Sequence, residues 1–174
     1  GRVTGSDLVP ALCALAAGQG YSVFLFGGRR GVAQQAAIRL AARFPGLTVA
    51  GVYTPVDDFA SNLEDQRAAV AAVNRATPDF VFVGLGAPAQ ELWVYHYRAR
   101  LHAGVVLCCG AALDYAAGVK PRAPLWMQRA GLEWLWRLAH EPRRLWRRYL
   151  VDDVAFVGIV LREWWRLRVR KAER

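Results

Sequence analysis

FVFVGLGAPAQE, residues 80–91, is the stretch on which the reading of this chain turns. An unbroken apolar run of Phe and Val leads into a turn built from Gly84, Gly86 and Pro88, and Gln90 and Glu91 follow where a helix would start. A short continuous run of this kind is the pattern of a strand covered on both faces. Working outward, runs of the same character occur at 21–26, 47–53 and 104–108. Between them lie segments of helical period, rich in Ala, Gln, Arg and Leu, at 32–43, 63–76 and 90–101. An earlier helix at about 6–18 has Ser6 and Asp7 available as caps. Strand–helix–strand alternation predicts βαβ units with right-handed crossovers. The expected fold is therefore α/β, a Rossmann-like, mostly parallel sheet with helices on both faces. Four strands are few for such a sheet, and further elements are expected upstream of Gly1.

Composition narrows the rest. The chain has 174 residues, 55% hydrophobic and 21% charged, which excludes a disordered tail. No apolar run approaches the ~20 residues of a spanning helix, and no leader pattern is visible at the start. Cys13, Cys108 and Cys109 lack metal-ligand spacing, which predicts buried thiols in a reducing compartment. The net charge of +9 is unevenly placed: residues 1–119 hold nine basic and eight acidic side chains, residues 120–174 fourteen and six. Six of the seven tryptophans, from Trp126 to Trp165, share that basic segment. The boundary is placed near Gly118, with a sheet domain at 1–118 and a helical, tryptophan-rich appendage at 119–174. Within the latter, one helix is expected over 125–139 and another from Pro142 to about 170. Basic and aromatic residues together suit an anionic partner with an apolar component, either a membrane surface or nucleic acid.

Ligands of open α/β sheets bind at the carboxyl ends of the strands. Three such ends carry candidate residues. Gly27 and Gly28 open the turn Gly-Gly-Arg-Arg-Gly before a helix, fit either for close phosphate approach or for ordinary turn chemistry. Gly86 and Gln90 follow the third strand, where Gln90 could bond a sugar or phosphate, or serve with Glu91 as a helix start. Asp114 follows the fourth strand among small residues, as a hydroxyl acceptor or a loop cap. No metal motif or hydrolase elbow is present. His96, His102 and His140 are scattered, and Asp57 and Asp58 read as a solvated loop.

Taken together, G-L-G-A-P-A-Q-E, then G-A-A-L-D-Y-A-A-G, then K-P-R-A-P-L-W-M-Q-R-A-G-L-E-W-L-W-R-L, then E-P-R-R-L-W-R-R-Y-L resemble the WecB/TagA/CpsF family of glycosyltransferases. The resemblance implies a metal-independent, inverting transferase that needs no cofactor. It would move N-acetylmannosamine or a related sugar from a UDP-sugar to a polyprenyl-diphosphate-linked acceptor, in bacterial teichoic acid or cell-surface polysaccharide assembly. It implies a cytoplasmic protein, peripheral at the inner face of the membrane, with room for self-association and no nucleic-acid partner. Residue by residue, Arg2 matches an arginine beside the active site and Gln90 a glutamine in or near the donor pocket, which makes these two the implied catalytic residues, and Asp114 matches a further donor-pocket position. Arg137, Arg144 and Arg147 match tail arginines that close over the pocket and engage the acceptor diphosphate, a task suited to guanidinium forks. Family members carry an additional N-terminal segment whose aspartate is the proposed general base. Nothing before Arg2 supplies it here, so truncation is the expectation. The competing reading is a non-catalytic module that binds nucleotide or nucleic acid through the basic, aromatic tail.

Overall fold

The computed structural model describes residues 3–147, 158–160 and 162–166. The chain forms two compact units, Gly1–Pro121 and Arg122–Arg174. The first is α/β. Its order is α1 (Gly5–Gln19), β1 (Ser22–Gly27), α2 (Val32–Arg43), β2 (Thr48–Tyr53), α3 (Leu63–Ala76), β3 (Phe80–Gly84), α4 (Ala89–Tyr97), β4 (Val105–Cys108) and α5 (Ala112–Ala116). A single 3-10 turn, Arg98–Arg100, ends what the sequence suggested as one helix over 90–101.

All four strands run parallel, in the order β2-β1-β3-β4. Period-two alternation explains why the runs are apolar throughout, since each face of the sheet has its own core. Val23, Leu25 and Phe82 face Val9 and Cys13 of α1, Ala33, Ala36 and Leu40 of α2, and Leu113 of α5. Phe24, Phe26, Val81 and Val83 face Ala69 and Val73 of α3 and Trp93 and Tyr97 of α4. Helices therefore cover both faces. Phe26 is a hub of the second core, edge-on to Trp93 at 4.7 Å, Phe59 at 5.4 Å and Tyr53 at 5.6 Å between ring centroids. Removing a buried aromatic of this kind costs about 3–5 kcal/mol.

Two details of the first unit depart from the sequence reading. The segment after β4 is not loop throughout, because Ala112–Ala116 forms the short helix α5, and Asp114 lies on it. The thiols are not uniformly buried either. Cys13 is buried and Cys109 half-buried, but Cys108 is exposed, because β4 is an edge strand among the described residues.

In the second unit, α6 (Leu125–Arg129), α7 (Glu133–His140) and α8 (Pro142–Arg147) are short. The single helix expected over 125–139 is broken at Gly131, whose φ is 74°. The amide of Leu132 donates to the Met127 carbonyl at 2.8 Å and that of Gly131 to Gln128 at 3.3 Å, a paired C-terminal closure that only a left-handed residue completes cheaply. Helical periodicity continues across the break, which is why the pattern alone hid it. Of the helix expected to run on from Pro142, residues 148–157 and 167–170 lie outside the described residues; 158–160 and 162–166 are helical. No helix among the described residues is long and apolar enough to cross a membrane.

Candidate active site at the carboxyl edge of the sheet

Strand order reverses direction between β1 and β3. The chain leaves β1 for β2 on one side and leaves β3 for β4 on the other, and the reversal point of an open α/β sheet is where its ligand crevice is expected. Gly27 and Gly84 are paired in register at those ends. A methyl group added to Gly27 would lie 2.6 Å from the carbonyl of Gly84, and one added to Gly84 would lie 2.9 Å from the carbonyl oxygen of Gly110. Gly27 thus meets Gly84 main chain against main chain, and Gly84 is hemmed in equally by the Gly110 carbonyl and by the Leu113 side chain, whose Cδ1 would also lie 2.9 Å from an added methyl. The Gly28 amide donates to the Gly84 carbonyl at 3.0 Å, extending the contact one residue past the strand.

Helices that begin here differ in how their first turns are closed. At α3, Asn62 accepts from the Asp65 amide at 3.0 Å. Asp65 in turn accepts from the Val56 amide at 3.0 Å and from the Tyr53 hydroxyl at 2.6 Å. Burial, then the bond and charge of Asp65, push the Tyr53 phenol up to about 12. By contrast, α2 begins behind Gly31 and α4 behind Pro88, and neither has a side-chain cap. Uncapped first turns leave amide donors and the positive end of the helix dipole directed outward. These two helices flank the β1–β3 crevice, and the exposed Arg29 and Arg30 stand in the turn that leads to α2. The arrangement suits an anion of phosphate type.

The candidate residues from the sequence fall as follows. Gly27 and Gly28 form the β1 side of the crevice, and Gly86 lies in the turn between β3 and α4 with φ at 84°. Gln90 is buried at 5% exposure, and its amide is engaged within the protein. Its Oε1 accepts from the Gly110 amide at 3.1 Å, and its Nε2 donates to Glu91 Oε1 at 2.7 Å. Gln90 therefore ties α4 to the loop after β4 and orients the exposed carboxylate of Glu91. Asp114 stands 2.9 Å from Lys120 Nζ, and its carbonyl accepts from the Val119 amide at 3.0 Å, closing the turn that leaves α5. Asp57 and Asp58 are exposed, as are His96, His102 and His140. Arg2 lies outside the described residues, and so does the side chain of Arg144; Arg147 is exposed on α8. Arg137 is half-buried and stands 3.3 Å from the buried carboxylate of Glu133.

The sequence reading passed over three groups. Lys120, the partner of Asp114, stands in the K-P-R-A-P segment that carries the resemblance, but the sequence assigns it no role of its own. Asp65 has no mark in the sequence, and only its contacts with β2 and the following loop distinguish it. Glu133 did carry a signal, an acid between Leu132 and Trp134 in an apolar segment. Such an acid is buried only when it is paired.

The start of α1 also reaches this edge: a methyl group on Gly5 would lie 3.2 Å from the carbonyl oxygen of Cys109. Gly5 therefore lies against the strand end that leads into Gly110. Fold and site together define an all-parallel α/β protein with helices on both faces of its sheet and its candidate site where the strand order reverses. The chain belongs to the glycosyl transferase WecG/TagA/CpsF family, which it matches over residues 1–170. It is 33% identical over 149 residues to an N-acetylglucosaminyldiphosphoundecaprenol N-acetyl-beta-D-mannosaminyltransferase of Bacillus subtilis, covering 86% of this chain and 56% of that protein. Proteins of the same name from Bacillus spizizenii and Staphylococcus aureus are 36% and 30% identical, with 86% and 84% of this chain and 55% of each relative covered. The chain thus spans about half the length of the curated relatives it matches.

Proposed function

We propose that this chain carries the nucleotide-sugar site and an acceptor-binding segment of a glycosyltransferase that moves N-acetylmannosamine, or a closely related sugar, from a UDP-sugar to a polyprenyl-diphosphate-linked acceptor. One observation carries the donor half of this reading: the uncapped starts of α2 and α4 flank a glycine-walled crevice at the reversal of strand order. Amide donors and the Arg29–Arg30 turn would ease the charge of the departing UDP, the electrostatic task that a metal ion performs elsewhere. Relatives named for transfer of N-acetylmannosamine support the choice of sugar and acceptor.

Calorimetric titration with UDP, GDP, NAD and a short single-stranded DNA, with and without EDTA, tests the donor site. UDP should bind selectively, and EDTA should change nothing. Binding of GDP or NAD as tightly as UDP would sink the assignment, and a DNA-only signal that falls steeply with salt would replace it.

The second unit is assigned the acceptor and the membrane surface. Trp126, Trp134 and Trp146 are 64%, 45% and 51% exposed, on helices that also carry Arg129, Arg137, Arg143 and Arg147. Amphipathic rings beside long cationic stems suit a headgroup layer. Replacing Trp126 and Trp134 together by Ala should reduce co-sedimentation with anionic liposomes. Undiminished co-sedimentation would remove these helices from the membrane contact.

A further inference from the structure

Among the described residues of the second unit, one acid is buried. Glu133, the first residue of α7, has a side chain only 4% exposed. Among the described residues, two arginines meet it. Arg137, one helical turn on, brings Nη2 to 3.3 Å from Oε1, and Arg122, from the segment before α6, brings Nε to 3.8 Å from the same oxygen. The arginine side chains are not buried to the same degree: Arg122 is 26% and Arg137 33% exposed. An anion lies beneath and two cations lie partly outward, both within ion-pair range of one atom.

We propose that Glu133 is a positioning residue that holds Arg122 and Arg137 as a paired-guanidinium receptor, and that Arg122 contacts the acceptor's diphosphate alongside Arg137. This inference rests on the reading of Arg137 as a diphosphate ligand. The chemistry is specific to the arrangement. A guanidinium is a planar fork matched to phosphate oxygens, and a diphosphate offers two such sets side by side. An arginine side chain is long and loses much rotamer freedom on binding unless it is already held. A carboxylate shared from below supplies that hold, and it fixes the two forks relative to each other as well as to the helix. Burying the acid is tolerable only because cations meet it. The same contact that satisfies Glu133 therefore prepares the receptor.

The test uses the full-length enzyme and its steady-state kinetics, with inorganic pyrophosphate as a competitor against the acceptor. Arg122→Lys keeps the charge and loses the fork. It should raise acceptor KM about tenfold or more and weaken pyrophosphate inhibition in parallel. Donor KM should stay unchanged, and the unfolding midpoint should move by less than about 2 °C. Glu133→Gln should shift acceptor KM in the same direction, and Glu133→Asp should recover part of the loss. Should Glu133→Gln fail to fold, Arg122→Lys decides alone. A change in stability with no change in acceptor KM would make the trio a structural strut and overturn the inference. If Arg137→Lys raises acceptor KM and Arg122→Lys does not, this inference falls and the reading of Arg137 stands. If Arg137→Lys also leaves acceptor KM unmoved, both fall.

Discussion

Between the starts of β1 and β3, side chains bridge the two strands; between their carboxyl ends, at Gly27 and Gly84, backbone meets backbone. Asp79 accepts from the Ser22 amide at 2.7 Å and from its hydroxyl at 2.9 Å, clipping the start of β1 to the start of β3. Asn74 does the same for the approach to β4: its Nδ2 donates to the Arg100 carbonyl at 2.7 Å, and its Oδ1 accepts from the His102 amide at 2.7 Å. The opposite edge has Gly27, Gly84 and Gly110 packed against one another, with the first turns of α2 and α4 left uncapped. One edge is closed by polar side chains, and the other leaves the first turns of α2 and α4 without a side-chain cap. A change at the amino edge should therefore cost stability alone, whereas one at the carboxyl edge should cost stability and binding together.

The largest effect is expected from Gly27→Ala. Its Cβ would meet the Gly84 carbonyl at 2.6 Å, at a φ of 122° that L residues rarely adopt. The variant should lose about 3 kcal/mol or more, measured by denaturant unfolding, together with UDP binding. A well-folded Gly27→Ala that still binds UDP would show that the close backbone approach is not needed.

Asp79→Asn probes the other edge and should cost less. The Ser22 amide, then its hydroxyl, hold the Asp79 carboxyl below its ordinary value of 3.8. A depressed carboxyl contributes stability that is present above its unfolded value and lost as pH falls through the folded one. Wild type should therefore outlast Asp79→Asn in thermal unfolding at neutral pH by several degrees, and the two should converge below pH 3.8. UDP affinity should not change, and a loss of it would break the separation of the edges.

The smallest effect is one of order. Burial pushes Cys109 up to about 12 and Cys13 up to about 11, whereas Cys108 is exposed on the edge strand. Alkylation of the native protein followed by mass mapping should label Cys108 first and the other two only on unfolding. Early labelling of Cys109 would mean that the loop carrying Gly110 opens readily.

Much of this contrast was legible in the sequence, but not evenly. The apolar runs gave the strands because each is buried on both faces, and burial on both faces leaves no polar alternation to misread. Helix α5 escaped notice because its residues are small and lie between Gly110 and Gly118, which look like loop punctuation. The break at Gly131 escaped because the apolar period carries across it. Gln90 stood out by its motif, yet its use did not. The Gly110 amide that it accepts from is twenty residues away in the chain and arrives only once β3 and β4 have paired. Asp114 and Lys120 are close in sequence, but no periodicity joins them until the turn after α5 brings them to 2.9 Å. Elements follow from local pattern, whereas site contacts are made by the topology.

The line of main chain from Gly27 through Gly84 to Gly110 bears on how such a protein can diverge. Peptide groups are chemically alike whatever the sequence, so a floor made of them registers the charge and bulk of what lies on it and little else. Preference for one ligand over another must then be written in side chains that reach over such a floor from neighbouring loops. Those can be exchanged singly while the floor is left untouched, so ligand choice can drift across a lineage without the backbone being rebuilt.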